Sequence, residues 1–407
     1  MHILIVTPHY IPDGGPSGPL FAMLAEKLVA RGHRVSVISA QPHYPSGIVP
    51  EEFRGWRMRR TELHGVEIYW VPIPSLNRAN LVFRFVQFVF FQVGALLASL
   101  RIKPDIQIAS NPGLQTLLPF IWNARIRRIP SVFSVHDVYP DAGITLGVMK
   151  NNLIIWGVTR IEQMCLNSAI KIRILSESFR PSMNRLGIGD DKIELIYDWV
   201  DTELIQPISK KNDFAREMGL DESFVVLYAG NVGLSQALEN LLFAAQELAS
   251  DQQIKILIVG SGSNLANLKQ MANEMRLTNV VFCPFQDRDR LPQVLATADI
   301  SLVTLQRGVA FRSLPSKSYS ILASGRPIIA AADEGSDSYD LIIRSRSGIC
   351  IEPENSEELV NAIITMKNNV QLRNECSAHG REYAERHHSP LAAADAFDAI
   401  FRKVKPI

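Results

Sequence analysis

Residues 313 to 317, Ser-Leu-Pro-Ser-Lys, put a helix-capping hydroxyl, a proline and a lysine within five positions. Pro315 costs nothing in the first turn of a helix, where its missing N–H would have no intrahelical partner and its fixed φ is already helical. Ser313 is placed to cap such a helix, Leu314, Ile321 and Leu322 give it an apolar face, and Gly325 ends it. A helix starting there aims unpaired backbone N–H groups and the Lys317 ammonium at one spot, which makes an anion site best suited to phosphate. An ordinary capped surface helix with an exposed lysine fits the same letters equally well.

Other stretches carry related chemistry. Asp13-Gly14-Gly15-Pro16-Ser17-Gly18 follows a strand-like run and precedes a helix, so backbone N–H groups can approach a ligand closely. It is not GxGxxG, so the dinucleotide fingerprint is absent, and no GxxxxGK[ST] occurs anywhere. Gly230-Asn231-Val232-Gly233-Leu234-Ser235-Gln236 and Gly260-Ser261-Gly262-Ser263 occupy similar strand-to-helix turns, and Phe285-Gln286 offers an aromatic to flank a planar base. Each also reads as a structural turn. Their coincidence with 313–317 at strand C-termini of one parallel sheet says more than any one of them. His136-Asp137, in FSVHDVYPD, leaves a strand for a loop, where a carboxylate can orient an imidazole for hydrogen bonding or proton transfer; a structural turn histidine is the alternative. His387-His388 reads as solvent-exposed. Asp287-Arg288-Asp289 is formally D-x-D but precedes LPQVLATA, where aspartates cap a helix, so no metal site is expected.

These residues need a scaffold of parallel strands. HILIVT, RVSVISA, VEIYWVP, DIQIAS and SVFSVHD in the first half, and SFVVLYAG, IKILIVGSG, NVVFCPF, ISLVTL, RPIIAA and GICIEP in the second, are nearly continuous apolar runs separated by helical stretches. That pattern predicts α/β architecture with sheets covered on both faces. Two Rossmann-like domains are expected at 1–197 and 198–385, followed by a helix over 386–407 packing back on the first, with a hinge near Tyr197 to Asp201 and a ligand cleft between facing strand ends.

The composition is that of a globular chain, 47% hydrophobic and 20% charged, with a net charge of +1 that gives no reason to expect nucleic acid. Positive charge is nonetheless concentrated: residues 51–130 hold eleven Lys/Arg against five Asp/Glu. Cys165, Cys283, Cys350 and Cys376 are scattered without C-x-x-C spacing, which argues against zinc or a disulfide framework and fits a reducing compartment. The start, MHILIVTPHY, lacks a basic segment before its apolar run and reads as a strand rather than a signal peptide. Leu81 to Leu100 is long enough to span a bilayer, but Asn80, Arg84 and Gln87 form a polar stripe at helical spacing, with Gln92 off it. The stripe favours a packed helix over a span, and the basic surroundings suit docking on anionic lipid.

Taken in order, HILIVTPHYIPDGGPSG, SVHDVYPD, YAGNVGLSQALE, VVFCPFQDRDRLPQVLATADI and LPSKSYSILASGRPIIAA resemble the GT-B glycosyltransferases of family 4, closest to the bacterial exopolysaccharide and O-antigen branch that includes colanic-acid and fucosamine-transferase-like enzymes. The resemblance spans essentially the whole chain. It implies a nucleotide-sugar donor bound mainly by the second domain, an acceptor held by the first, retention at the anomeric carbon, and no metal or other cofactor. By position, Gly14 and Gly15 would lie against the donor phosphate or sugar and His136 against the sugar near the reacting carbon. Phe285 and Gln286 would border the base, and Leu314, Pro315, Ser316 and Lys317 the diphosphate. The second-domain loops with Asn231, Val232, Gly233, Gln236, Gly260 and Ser261 complete the donor side, and Ser313 belongs to the same group.

This chain departs from the family pattern at four places. Asn231 and Gln236 stand where many relatives have arginine and lysine, and Arg312 and Ser320 stand where relatives have two glutamates, the second of which grips the ribose. Lys317, with Arg307 or Arg312, would then replace the missing positive charge. The resemblance favours UDP and glucose or a close relative, a lipid-linked saccharide acceptor, and work in the cytoplasm at the inner membrane face. A nucleotide-sugar epimerase on the same architecture and a degenerate nucleotide-binding subunit are the competing readings.

Overall fold

Strand β1 (His2–Val6) is apolar at every position after the first, and such a run belongs at the centre of a sheet covered on both faces. The structure, a computed structural model, describes the chain except residues 16, 142–143, 145–148, 150, 311–314 and 405–407, and the side chain of Leu81. Two compact units are present: Met1–Asp198 with Pro390–Ile407, and Trp199–Ser389.

The first unit adds β2 (Arg34–Ala40), β3 (Arg59–Leu63), β4 (Val66–Val71), β5 (Ile106–Ser110), β6 (Ser131–Val135), β7 (Lys171–Ile174) and β8 (Ile193–Leu195). They form one sheet in the order β3-β4-β2-β1-β5-β6-β7-β8, parallel except for the antiparallel β3–β4 edge. Strands β3, β7 and β8 are not apparent from apolar patterning, each for its own reason. Strand β3, RRTEL, is an exposed charged edge, a known device against edge-to-edge association. Strand β7 carries Arg173 in its middle, and β8 is only three residues long. The helix Pro390–Val404 packs on Ser17–Ala30, with Arg31 Nη2 2.5 Å from Asp395 Oδ1 and His33 Nε2 3.1 Å from Asp398 Oδ1.

The helix Leu81–Ser99 is capped by Asn80, whose side chain accepts from the Val82 N–H. It differs from the expected polar-striped helix. Gln87 is buried, donating to the carbonyls of Gly47 (2.9 Å), Pro74 (3.0 Å) and Leu76 (3.2 Å), while Gln92 donates to Leu114 O at 2.8 Å and accepts from Leu118 N at 3.0 Å. The glutamines face inward with Phe91, Ala95 and Ala98, satisfying loop carbonyls. The outward face is apolar: Val82, Phe85, Val89, Val93 and Leu97 follow one another at helical spacing and are all exposed.

The second unit contains β9 (Phe224–Asn231), β10 (Ile254–Ser261), β11 (Val280–Cys283), β12 (Ile300–Thr304), β13 (Ile328–Ala331) and β14 (Gly348–Ile351), the six runs expected from the sequence. All neighbours are parallel, in the order β11-β10-β9-β12-β13-β14. The direction of strand addition reverses at β9, so the crevice outside the C-terminal ends of β9 and β12 is where an open α/β sheet takes its ligand. His388, expected at the surface, is fully buried with its ring 4.1 Å from that of Tyr319.

Candidate active site

In the second unit the chemistry gathers around Lys317. Its helix runs Lys317–Ala323, seven residues, and Ser316 at the N-cap makes no side-chain capping bond. The helix therefore begins later than the sequence suggests. Pro315 precedes it in a turn, where its carbonyl accepts from Ser318 N at 3.0 Å, and a seven-residue helix offers little dipole for an anion. Arg312, Ser313 and Leu314 lie outside the described residues. Ser320 falls one turn after Lys317 on the same face.

The ammonium itself is the unusual group. Lys317 Nζ lies 3.8 Å from the centroid of the Tyr228 ring, and a Cβ at Gly230 would sit 3.4 Å from it. It is buried and has no hydrogen-bond partner among the described residues. Burial pushes its pKa down to about 7. An ammonium stripped of water and held only against a ring face has unused capacity for an anion. Arg307, expected to add charge here, instead faces Glu352 at 3.3 Å.

The neighbouring loops are shaped by glycine. Gly230 has φ +143°, and a Cβ on Gly260 would come within 1.9 Å of the Gly230 carbonyl oxygen, so the ends of β9 and β10 approach only because Gly260 lacks a side chain. Val232 is buried in the core, its side chain packing inward and its N–H donating to Ser261 O at 2.9 Å. Asn231 and Gln236 converge over Gly233, whose N–H donates to Gln236 Oε1 at 2.9 Å. Ser261 is exposed at the end of β10. Phe285 is 72% exposed just past β11, and Gln286 donates back to Pro284 O at 3.0 Å.

In the first unit, β6 delivers His136 past its C-terminal end. Asn111 fixes the loop by accepting from His136 N (2.8 Å) and Asp137 N (3.4 Å) and by donating to Asp137 O. The carboxylate facing the imidazole belongs to Asp198, with Oδ1 3.9 Å from His136 Nδ1, and not to Asp137, whose side chain is exposed. The expected adjacent His-Asp pair is thus corrected: consecutive residues at a strand end diverge, and a residue from the far end of the unit takes the place. Arg173, fully buried on β7, donates to Asp198 Oδ1 (2.6 Å), Ile196 O (2.7 Å) and Ser134 Oγ (3.2 Å), and Ser134 Oγ lies 3.3 Å from His136 Nε2. With Ser134 donating to Nε2, the ring proton sits on Nδ1, too far from Asp198 for a good hydrogen bond. Burial, assisted by Arg173 and opposed by Asp198, lowers the His136 pKa to about 4, so the imidazole is neutral at ordinary pH.

Of the glycine pair in the first loop, Gly14 has open space at its Cβ position, whereas a Cβ on Gly15 would come within 2.3 Å of the His9 ring. The Gly15 N–H is already committed to Asp13 Oδ1 at 2.9 Å. Only Gly14 has the access expected of both. Glu162 is buried beneath Gly113, accepting its N–H at 2.5 Å, and burial raises its pKa to about 8.

Sequence reasoning did not find Tyr228, Arg173, Asp198, Asn111, Glu162, His9 or His43. For two of them a signal was present: Pro-His-Tyr occurs at 8–10 and again at 42–44, after adjacent strands.

Comparison with known proteins places the chain in a family. Residues 17–199 match the family described as glycosyl transferase 4-like domain, and residues 209–383 that described as glycosyl transferases group 1. The putative colanic acid biosynthesis glycosyl transferase WcaI of Escherichia coli K12 is 30% identical over 401 residues, covering 95% of this chain and 96% of that protein. Among solved structures, Anabaena HepE in complex with UDP superposes with a TM-score of 0.70 at 16% identity, over 99% of this chain and 100% of that one. Sucrose-phosphate synthase from Thermosynechococcus elongatus does so with 0.70 at 17%, over 99% of each.

Proposed function

Because the chain belongs to the GT-B glycosyltransferases of group 1, with a transferase-4-like first domain, we propose that it moves a hexose from a UDP-sugar, glucose or a close relative, to a lipid-linked saccharide in polysaccharide synthesis. The observation that carries this reading is the buried Lys317 ammonium, without a hydrogen-bond partner among the described residues, at the switch point of the second sheet. Departure of a nucleoside diphosphate builds negative charge on the leaving oxygen, and a desolvated, preorganised cation stabilises it where it develops. No divalent cation is needed at the diphosphate in this scheme. Configuration is retained by front-face displacement: the anomeric C–O bond to phosphate breaks, the bond to the acceptor oxygen forms on the same face, and the acceptor proton passes to the leaving phosphate. Neutral His136, with its Nδ1 proton uncommitted, offers a hydrogen bond to a sugar hydroxyl and does not act as a base. Ser320 holds the ribose more weakly than the family's glutamate would. HepE was solved with UDP, which is consistent with a uridine donor.

A thermal-shift panel followed by a transfer assay tests this. UDP and UDP-glucose should raise the melting temperature, and labelled glucose should appear on a lipid extract in the absence of Mg²⁺. Stabilisation by NAD but not UDP would point to a nicotinamide enzyme, and conversion of the donor without any acceptor would point to the epimerase.

The lipid acceptor also requires access to a bilayer surface. The Val82–Ser99 segment is long and apolar enough to cross a membrane by length and composition, yet its inner face is fixed by Gln87 and Gln92, so only the outer face is available to lipid. Trp56, 68% exposed, lies 5.8 Å from Phe90 and is followed by Arg57 in the basic 51–130 region. Leu153, Ile154 and Trp156 are likewise exposed on the helix Asn152–Ser168. Apolar residues with an interfacial tryptophan and arginines suit peripheral attachment to anionic lipid. The protein should co-sediment with vesicles containing phosphatidylglycerol, and Phe85→Asp with Val89→Asp should weaken that at least ~10-fold. Equal binding of this variant would exclude the surface.

A further inference from the structure

Two loops that follow adjacent strands carry the same triplet, Pro8-His9-Tyr10 after β1 and Pro42-His43-Tyr44 after β2, and both histidines turn inward on Asp13. His9 Nδ1 lies 3.1 Å and His43 Nδ1 3.4 Å from Asp13 Oδ2, the rings stack with centroids 5.0 Å apart, and all three side chains are buried. We infer that His9, Asp13 and His43 form a binding site for one first-row divalent transition metal, with zinc(II) as the best match.

The ligand types come first. Two imidazoles and one carboxylate make a mixed nitrogen–oxygen set that suits zinc and its neighbours and does not suit magnesium or calcium, which take oxygen. The spacing comes second. Ligand atoms held at about 2.0–2.1 Å from a tetrahedral zinc lie roughly 3.4 Å apart, and the His9–Asp13 and His43–Asp13 separations of 3.1 and 3.4 Å are already near that. The three ligand atoms all fall within 4.8 Å of one another, so closing the set requires only that the two rings draw together. A fourth ligand is adjacent, because the Gln41 carbonyl oxygen is 2.9 Å from His43 Nδ1.

The surroundings orient these groups as metal ligands are oriented elsewhere. Asp13 Oδ1 accepts from Gly15 N at 2.9 Å and Oδ2 from His43 N at 3.1 Å, which fixes the carboxylate plane. Each Nδ1 faces an oxygen, and coordination through Nδ1 requires the remaining ring proton to lie on Nε2. The Arg78 guanidinium, 5.7 Å over the Tyr44 ring, opposes a cation, so affinity rests on the imidazole nitrogens more than on net charge. Bound metal would join the β1 and β2 loops and hold the Gly14-Gly15 turn. It is independent of the donor chemistry proposed at Lys317.

The test uses the full chain stripped with chelator and then titrated with zinc(II) against a chromophoric competitor, with cobalt(II) as a spectroscopic probe. One equivalent should bind, cobalt(II) should give the visible bands of a four- or five-coordinate site, and zinc should raise the melting temperature. His9→Gln and His43→Gln should each weaken binding by ~100-fold or more, whereas His64→Gln, altering an exposed histidine paired with Glu26, should leave it unchanged. If a glutamine variant fails to fold, the wild-type stoichiometry and cobalt spectrum decide alone. Absence of stoichiometric binding to the wild type, or wild-type affinity in the folded glutamine variants, overturns the assignment.

Discussion

Lys317→Met is expected to reduce turnover by ~10²–10³-fold while raising the melting temperature of the ligand-free protein. Most inactivating substitutions do not stabilise. This one should, because the wild-type lysine is buried without a hydrogen-bond partner among the described residues and burial has lowered its pKa from 10.5 to about 7. The native state therefore gives up a proton that the unfolded chain still holds between pH 7 and 10.5. The native state carries no such penalty above pH 10.5, loses stability as pH falls towards 7, and loses no more below that. Methionine fills much the same volume against the Tyr228 ring and removes a penalty of roughly 4 kcal/mol at pH 7. The same reasoning gives a pH signature for the donor. A diphosphate must find the ammonium protonated, so affinity for a nucleotide sugar should be flat below pH 7 and should weaken up to ~10-fold per unit above it, with no such slope in Lys317→Met. Melting curves at pH 7 and isothermal titrations from pH 6 to 9 measure both effects. A variant that melts lower than wild type, or turns over normally, would remove Lys317 from the mechanism.

What could be read in the letters, and what could not, follows from how each residue is specified. Strands such as β1 and β9 are visible because burial on both faces forces near-continuous apolar runs, and the inner strands β10, β12 and β13 of the second sheet are of that kind. Strand β7 is hidden because its middle residue, Arg173, is fully buried, and no periodicity announces a charge whose partners lie at Ser134, Ile196 and Asp198. The same limit applies to the site. Lys317 was legible from its neighbours Pro315 and Gly325, but its position against Tyr228 depends on a register between β9 and a helix many residues later. The Leu81–Ser99 helix shows the same limit: the polar stripe through Gln87 favours a packed helix, but the three loop carbonyls to which Gln87 turns inward have no trace in the sequence. His136 is legible at its strand end, but the carboxylate nearest its ring is that of Asp198 and not of Asp137, because adjacency in sequence does not give adjacency across a strand end.

Arg173 leads to the second large effect. Arg173→Met should cost the protein ~2–4 kcal/mol, since it removes the fully buried member of a half-buried ion pair together with its hydrogen bonds to Asp198 Oδ1, the Ile196 carbonyl and Ser134 Oγ. A hydrophobic replacement of similar length cannot recover this while the carboxylate stays. Adding Asp198→Asn to Arg173→Met should therefore return part of the loss, and the double-mutant cycle should show coupling of at least ~1 kcal/mol. The pair also sets the state of His136. Arg173 lowers the imidazole pKa and Asp198 raises it, with burial the larger influence, so Arg173→Met should move it up from about 4 and Asp198→Asn should move it further down. These shifts are opposite in sign although both substitutions break the same contact, an outcome that loss of packing alone would not produce. Titration of the His136 ring by NMR in the folded single variants distinguishes them. If both shift in the same direction, or if Arg173→Met melts as wild type does, the buried pair does not tune the histidine and the neutral imidazole must be explained by burial alone.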